Sequence, residues 1–276
     1  MKKQNILPII LFILFFYIPK LYSSDELLFV GCRAVGLGGA YTAIAEDIET
    51  IGYNPAGLAG IKQFNIFTST KRLYSIDDLK HNALAIGYGI NQNSAAALMY
   101  EDVGYSEHKE SNYKLGYAQK INRFLTLGAA LKLYKIEINN FGNDNTIGLD
   151  IGCISRIYEN LYFGAMAKNI NNPQIGREIK DRLNRAITAG LAYSDNLLTI
   201  SVDATKENDL TMQIRTGLEL KLLRILALRY GYNNDPKRNF YGIGINYKQF
   251  DFGFAMFAHP QLEDTKQFSL NYKFGK

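Results

Sequence analysis

The stretch EDVGYSEH, residues 101–108, brings an acid, a hydroxyl and an imidazole together as Asp102, Ser106 and His108. These are the three groups of a serine hydrolase. A working triad is preorganised by rigid elements, and neighbours on one polar connection are not held that way. No G-x-S-x-G elbow is present either. The remaining histidines, His81 and His259, fall at strand ends or in connections, so no metal site is expected. The cysteines, Cys32 and Cys153, are distant in sequence. Strand parity turns Cys153 outward while Cys32 belongs to the opening segment, so no disulfide is expected. The reading is of a chain that is not an enzyme and carries no metal or cofactor.

A second stretch, VGLGGAYTAIAEDIETIGYNPAGLAG at residues 35–60, has the glycine density of a phosphate-binding loop. It departs from G-x-G-x-x-G, follows no strand-like run and opens no α/β unit, and no G-K-[ST] occurs. A packing role fits better. Gly36, Gly38 and Gly39 allow backbone to approach backbone or to take positive φ. Residues 40–49 are expected to form a short helix with Ala40, Ala43, Ile44 and Asp47 on one side. Asn54-Pro55 reads as a turn, because the proline fixes its own φ and restricts Asn54.

The elements that must position these residues are strands. The chain opens with Lys2 and Lys3, an apolar run from Ile6 to Ile18, and Ser23-Ser24. That is the order of a secretory signal peptide, assigned to residues 1–24, and the run is too short to span a membrane. Removing it takes away three lysines, so the net charge becomes 28 − 26 = +2. A near-balanced charge spread along the chain excludes a nucleic-acid partner. From about residue 63 the hydropathy period is two. In RFLTLGAALKLYKIE (123–137), Leu125, Leu127, Leu131 and Leu133 share one face, and Thr126, Gly128, Ala130 and Lys132 the other.

Fourteen such segments are expected, at 63–70, 80–91, 93–103, 109–121, 123–138, 145–157, 160–172, 184–195, 196–205, 211–222, 224–233, 239–248, 249–259 and 265–274. Their length suits a membrane barrel better than a soluble β-sandwich. Long polar connections (71–79, 104–108, 139–144, 173–183, 206–210, 234–238 and 260–264) are expected to alternate with tight turns, as in an up-and-down barrel. The fold class is thus all-β: a transmembrane antiparallel barrel, residues 63–276, with an N-terminal plug or hatch segment at 25–62. Aromatics near strand ends, among them Phe124, Tyr158, Tyr162, Tyr193, Phe240, Tyr247, Phe250 and Tyr272, are expected to form interfacial girdles against outer-membrane lipid. Fourteen strands leave a lumen wider than side chains fill. Inward parity assigns to it Lys132, Asp150, Arg156, Asp203, Arg215, Glu219, Lys221, Arg229 and Asp251.

The passage GCRAVGLGGAYTAIAEDIETIGYNPAGLAG resembles the amino-terminal signature of the FadL-like outer-membrane proteins, and most closely the PorV/PorQ branch. Gly31, Arg33, Ala34, Gly36, Gly38, Gly39, Ala40, Tyr41, Asp47 and the run Asn54, Pro55, Ala56, Gly57 and Leu58 carry the resemblance; Cys32 departs from a usual alanine. The resemblance implies a fourteen-stranded barrel in a Gram-negative outer membrane, with the Asn-Pro-Ala element seating the hatch. In the FadL branch it implies passage of hydrophobic small molecules, with the third strand at Ala95, Ala96 and Ala97 as a place for a lateral gap. In the PorV branch it implies a shuttle or adaptor for protein secretion, whose partners are secretion-system proteins.

Overall fold

The computed structural model describes residues 29–44, 46–176, 180–208, 210–223, 225–259 and 262–275. The expected signal peptide lies outside the described residues. Fourteen strands close into one antiparallel ring in which each pairs with its sequence neighbours. They are β1 (Asn65–Arg72), β2 (Lys80–Gly89), β3 (Ser94–Tyr105), β4 (His108–Lys120), β5 (Leu125–Ile138), β6 (Gly142–Tyr158), β7 (Leu161–Lys168), β10 (Ala186–Ser194), β11 (Leu198–Glu207), β12 (Gln213–Leu222), β13 (Leu226–Asn234), β14 (Lys237–Tyr247), β15 (Phe250–Phe257) and β16 (Thr265–Lys273). The ring closes where β1 meets β16, from Asn65↔Lys273 to Arg72↔Lys266. A two-residue ribbon, β8 (Gln174–Ile175) with β9 (Asp181–Arg182), stands in the longest connection.

Alternation in the sequence becomes two chemically distinct faces. Leu84, Ile86, Leu98, Leu115, Leu131, Ile147, Ile243 and Phe252 point outward and are exposed, whereas Ala83, Ala85, Ala97, Ala130 and Lys132 point inward and are buried. An apolar belt around a closed sheet suits a bilayer, because closure pairs every backbone N–H and C=O within the protein. Outward Phe124, Tyr158, Tyr193, Tyr247 and Phe250 edge the belt at the end where β1 begins and β16 finishes, the terminal end. Two of the expected girdle residues face the lumen instead. Phe240 is buried against Phe257, and Tyr162 packs on the N-terminal segment.

Three connections expected to be long are tight. Residues 106–107 join β3 to β4, 139–141 join β5 to β6, and 235–236 join β13 to β14. These hairpins continue past the belt, so polar residues read as loop are paired strand. Real length at this loop end is confined to 73–79, 169–185, 208–212 and 258–264. The strict alternation of long and short connections therefore fails in length, although the up-and-down order stands. The third strand shows no gap: Ala95, Ala96 and Ala97 are paired with both β2 and β4. Ala95 and Ala97 face the interior and let the N-terminal segment lie close.

The segment before β1 sits inside the ring. Its α-helix, α1, is Cys32–Gly36, followed by 3-10 turns at Ile48–Gly52 and Pro55–Gly60. The helix expected at 40–49 does not form among the described residues; the backbone N–H groups of Tyr41 and Thr42 both donate to the wall carboxylate of Asp203 at 2.9 Å, and the chain runs on into the 3-10 turn that Asp47 caps. α1 lies against β13 to β16, and the Pro55–Gly60 turn lies against β3 to β6. Room comes from inward glycines: a side chain at Gly128 would collide with Pro55 and Ala56, one at Gly164 with Thr42, and one at Gly231 with Gly38.

Candidate functional site

The filled lumen is the candidate site, and two kinds of contact hold its contents. On one side Ile48, Ile51, Leu58 and Ile61 pack on Ala83, Ala85, Ala95, Ala97, Met99 and Ala118 of β2 to β4. Small wall residues opposite large aliphatic ones give a dry, close contact. Gly38 and Gly39 take φ of +64° and +78°, which turns the chain after α1. Gly36 lies against Gly242 and Arg229 without a side chain between them.

On the other side the contacts are ionic. Arg33 reaches Glu219 on β12 through Nη2 at 3.0 Å and Nε at 3.2 Å. Arg229 on β13 donates from Nε to the same carboxylate at 2.6 Å. Glu219 is 1% exposed and thus joins a cation of the segment to a cation of the wall. Arg33 Nη1 also lies 3.3 Å from Asp47, Glu46 and the Tyr41 hydroxyl, which donates to Asp47 at 2.5 Å. Asp47 caps the following turn by accepting from the Glu49 N–H. Ser201 adds a bond from its hydroxyl to Ala40 O at 2.7 Å.

Asn54, Pro55, Ala56 and Gly57 stand where the segment meets β5, β6 and β7. Asn54 Oδ1 accepts from the Ala56 N–H, while Nδ2 donates to Thr42 O at 2.9 Å and Cys153 O at 3.0 Å. One buried amide thereby fixes the fold of the segment and its attachment to a wall strand. Burial raises the Cys32 thiol to about 12, with Sγ directed at Gln267 O. Burial, then the charge of Asp47, raises the Glu49 carboxyl to about 8, against stabilisation by the Ala34 N–H and nearby arginines.

Of the lumen-facing expectations, Lys132 and Asp150 form a buried pair at 2.6 Å, and Asp251 pairs with Lys273 at 2.6 Å. Arg215 lies 5.0 Å over the Phe29 ring, and Lys221 donates to Asp195 O at the rim. Arg156 shares the inward face with Ile154 and stands opposite Tyr162 at the terminal mouth of the ring, where it is exposed and donates to Glu159 O beside the one register shift of the β6–β7 pair. The hydrolase-like trio is separated by other partners: Asp102 pairs with Lys109, Ser106 with Glu107 and His108 with Glu110. His81, expected at a strand end, is buried on the inner face of β2.

Glu101, Asn112, Lys114 and Lys168 are lumen residues that the parity reading omitted. Their signal was present, since they share a face with Ala83, Ala97, Ala118 and Met166 across the paired strands. They line a cavity of ≈ 280 Å³ at the loop end, whose floor includes Gly52. Cavities of ≈ 400 and ≈ 590 Å³ open at the terminal end, both bordered by Glu46. The N-terminal segment thus lies between spaces at opposite ends of the ring.

No protein-family model and no curated protein sequence matches the chain. Solved structures do. The toluene transporter TodX of Pseudomonas putida is 12% identical, covering 91% of this chain and 100% of its own, with a TM-score of 0.72. The CymD monoaromatic hydrocarbon channel is 11% identical, covering 92% and 100%, at 0.65. A Pseudomonas aeruginosa FadL homologue is 10% identical, covering 88% and 98%, at 0.64. At such identities the likeness speaks for architecture: this chain has the fold of FadL-type transport barrels.

Proposed function

We propose that this protein is a passive outer-membrane channel for hydrophobic or amphipathic small molecules, with residues 25–62 as a hatch. The carrying observation is that a separate stretch of chain, held largely by side-chain contacts, divides the lumen into two end spaces. Such contacts can be exchanged without opening the wall, whose strand pairs are continuous apart from one shift. The loop end faces outward, and the end where β1 begins and β16 finishes faces the periplasm. The printed descriptions of TodX and CymD, a toluene transporter and a monoaromatic hydrocarbon channel, support a small-solute cargo. Liposomes carrying the purified barrel are expected to take up toluene or a fatty acid faster than empty liposomes; equal rates overturn the reading.

A second reading, an adaptor barrel for a type IX-like secretion system, draws support from the PorV/PorQ-like signature and from a lumen filled by its own chain. It predicts co-purification with secretion partners or cargo in mild detergent. Normal cargo export after gene deletion counts against it.

A further inference from the structure

The loop-end cavity has a polarity that a hydrocarbon leaves unanswered. Its apolar lining includes Val103, Ile136, Ile175 and Leu183, close to the Tyr134 ring. Among these stand three buried acceptors without a donor: Glu101 Oε2, Asn112 Oδ1 and Asn169 Oδ1. Glu101, 8% exposed, spends Oε1 on Lys114 Nζ at 2.7 Å and Asn112 Nδ2 at 2.9 Å, while Oε2 has no hydrogen-bond partner. His81 Nε2, at 3.9 Å, is beyond hydrogen-bond reach of that oxygen. Asn112, also 8% exposed, leaves Oδ1 unsatisfied. Buried acceptors of this kind carry a desolvation penalty that a bound donor relieves.

The pairing of the lysines points to the other half of a ligand. The lining carries four lysines and four acids. Lys132 is matched by Asp150 at 2.6 Å, Lys114 by Glu101 at 2.7 Å and Lys135 by Glu137 at 2.5 Å, while Asp102 pairs with Lys109 and Glu110 with His108. Lys168, inward on β7 beside Ala186, has no acid partner among the described residues. A carboxylate is the group that answers an unpaired ammonium there.

We infer that this cavity recognises a small hydroxy acid with an apolar body, the carboxylate on Lys168 and the hydroxyl donating to Glu101 Oε2 or Asn112 Oδ1. The inference rests on the solute-channel reading and narrows its substrate class. A site built around such acceptors discriminates against analogues that lack the donor. Filling it with a hydrocarbon would cover the ammonium and these acceptors with nothing to replace water.

The test is equilibrium binding to the detergent-solubilised full barrel, with 4-hydroxybenzoate, benzoate, phenol and toluene as probes. 4-Hydroxybenzoate is expected to bind at least tenfold more tightly than benzoate or phenol, and toluene more weakly than all three. Lys168→Met should remove at least tenfold for 4-hydroxybenzoate and leave phenol unchanged, with an unaltered barrel by circular dichroism. Equal binding of benzoate and 4-hydroxybenzoate, or of both proteins, overturns the assignment. Liposome uptake of the same probes separates the two claims. Toluene flux without 4-hydroxybenzoate binding sinks the site and spares the channel, whereas binding without flux of any probe does the reverse.

Discussion

The two flanks of the N-terminal segment hold it by different physics. Toward β2 to β4, Ile48, Ile51, Leu58 and Ile61 make a dry contact whose strength grows with buried area and has little directional demand. Toward β11 to β13, Arg33, Tyr41 and Thr42 meet Glu219, Arg229 and Asp203 through short, oriented bonds. The ionic flank pays desolvation close to what it recovers, yet losing one member leaves charges buried without a partner. The apolar flank therefore supplies adhesion, and the polar flank fixes position.

The largest effect is expected from Glu219→Ala, which takes the shared carboxylate from Arg229 and leaves Arg33 only Asp47, Glu46 and the Tyr41 hydroxyl. Breaking a buried pair from one side costs about 3–5 kcal/mol, or roughly two to three and a half orders of magnitude in the unseated population. Planar-bilayer leak should rise accordingly, with Glu219→Gln smaller; leak equal to the wild type would show that the polar flank does not set the position. Next comes Leu58→Ala, at about 2–4 kcal/mol. In a Cys153→Ser background, thiol labelling of buried Cys32 should speed up, and urea should amplify the change more than salt does. Amplification by salt would place Leu58 in the wrong regime.

Asn54→Ala combined with Pro55→Ala should cost about 1–3 kcal/mol through the lost buried amide bonds. Leak to small solutes should increase, and unchanged conductance removes the hatch assignment from these residues. The smallest effect is a pH slope. Glu49 titrates near 8 when seated against an ordinary value of 4.5, so the seated state binds more protons between those values. Seating is strongest below about 4.5, weakens as pH rises to about 8, and changes little beyond. Leak should rise across that window and flatten in Glu49→Gln; an equal slope in both proteins assigns the titration elsewhere.

Period-two alternation determined the barrel, because which face a strand residue occupies depends only on its neighbours in sequence. The ring of fourteen strands, the outward leucines and inward Lys132, Asp150, Asp203 and Glu219 were legible on that basis. Parity would also have exposed Glu101, Lys114 and Lys168 had the reading followed it to the strand tips. Tertiary structure alone decided the form of the opening segment: α1 at Cys32–Gly36 in place of a helix at 40–49, with the Tyr41 amide held by Asp203 from 162 positions away. It likewise decided that Arg33 shares Glu219 with Arg229 and that three polar connections become paired hairpin. Local periodicity is written in adjacent residues, whereas a partner far along the chain exists only once the ring has closed.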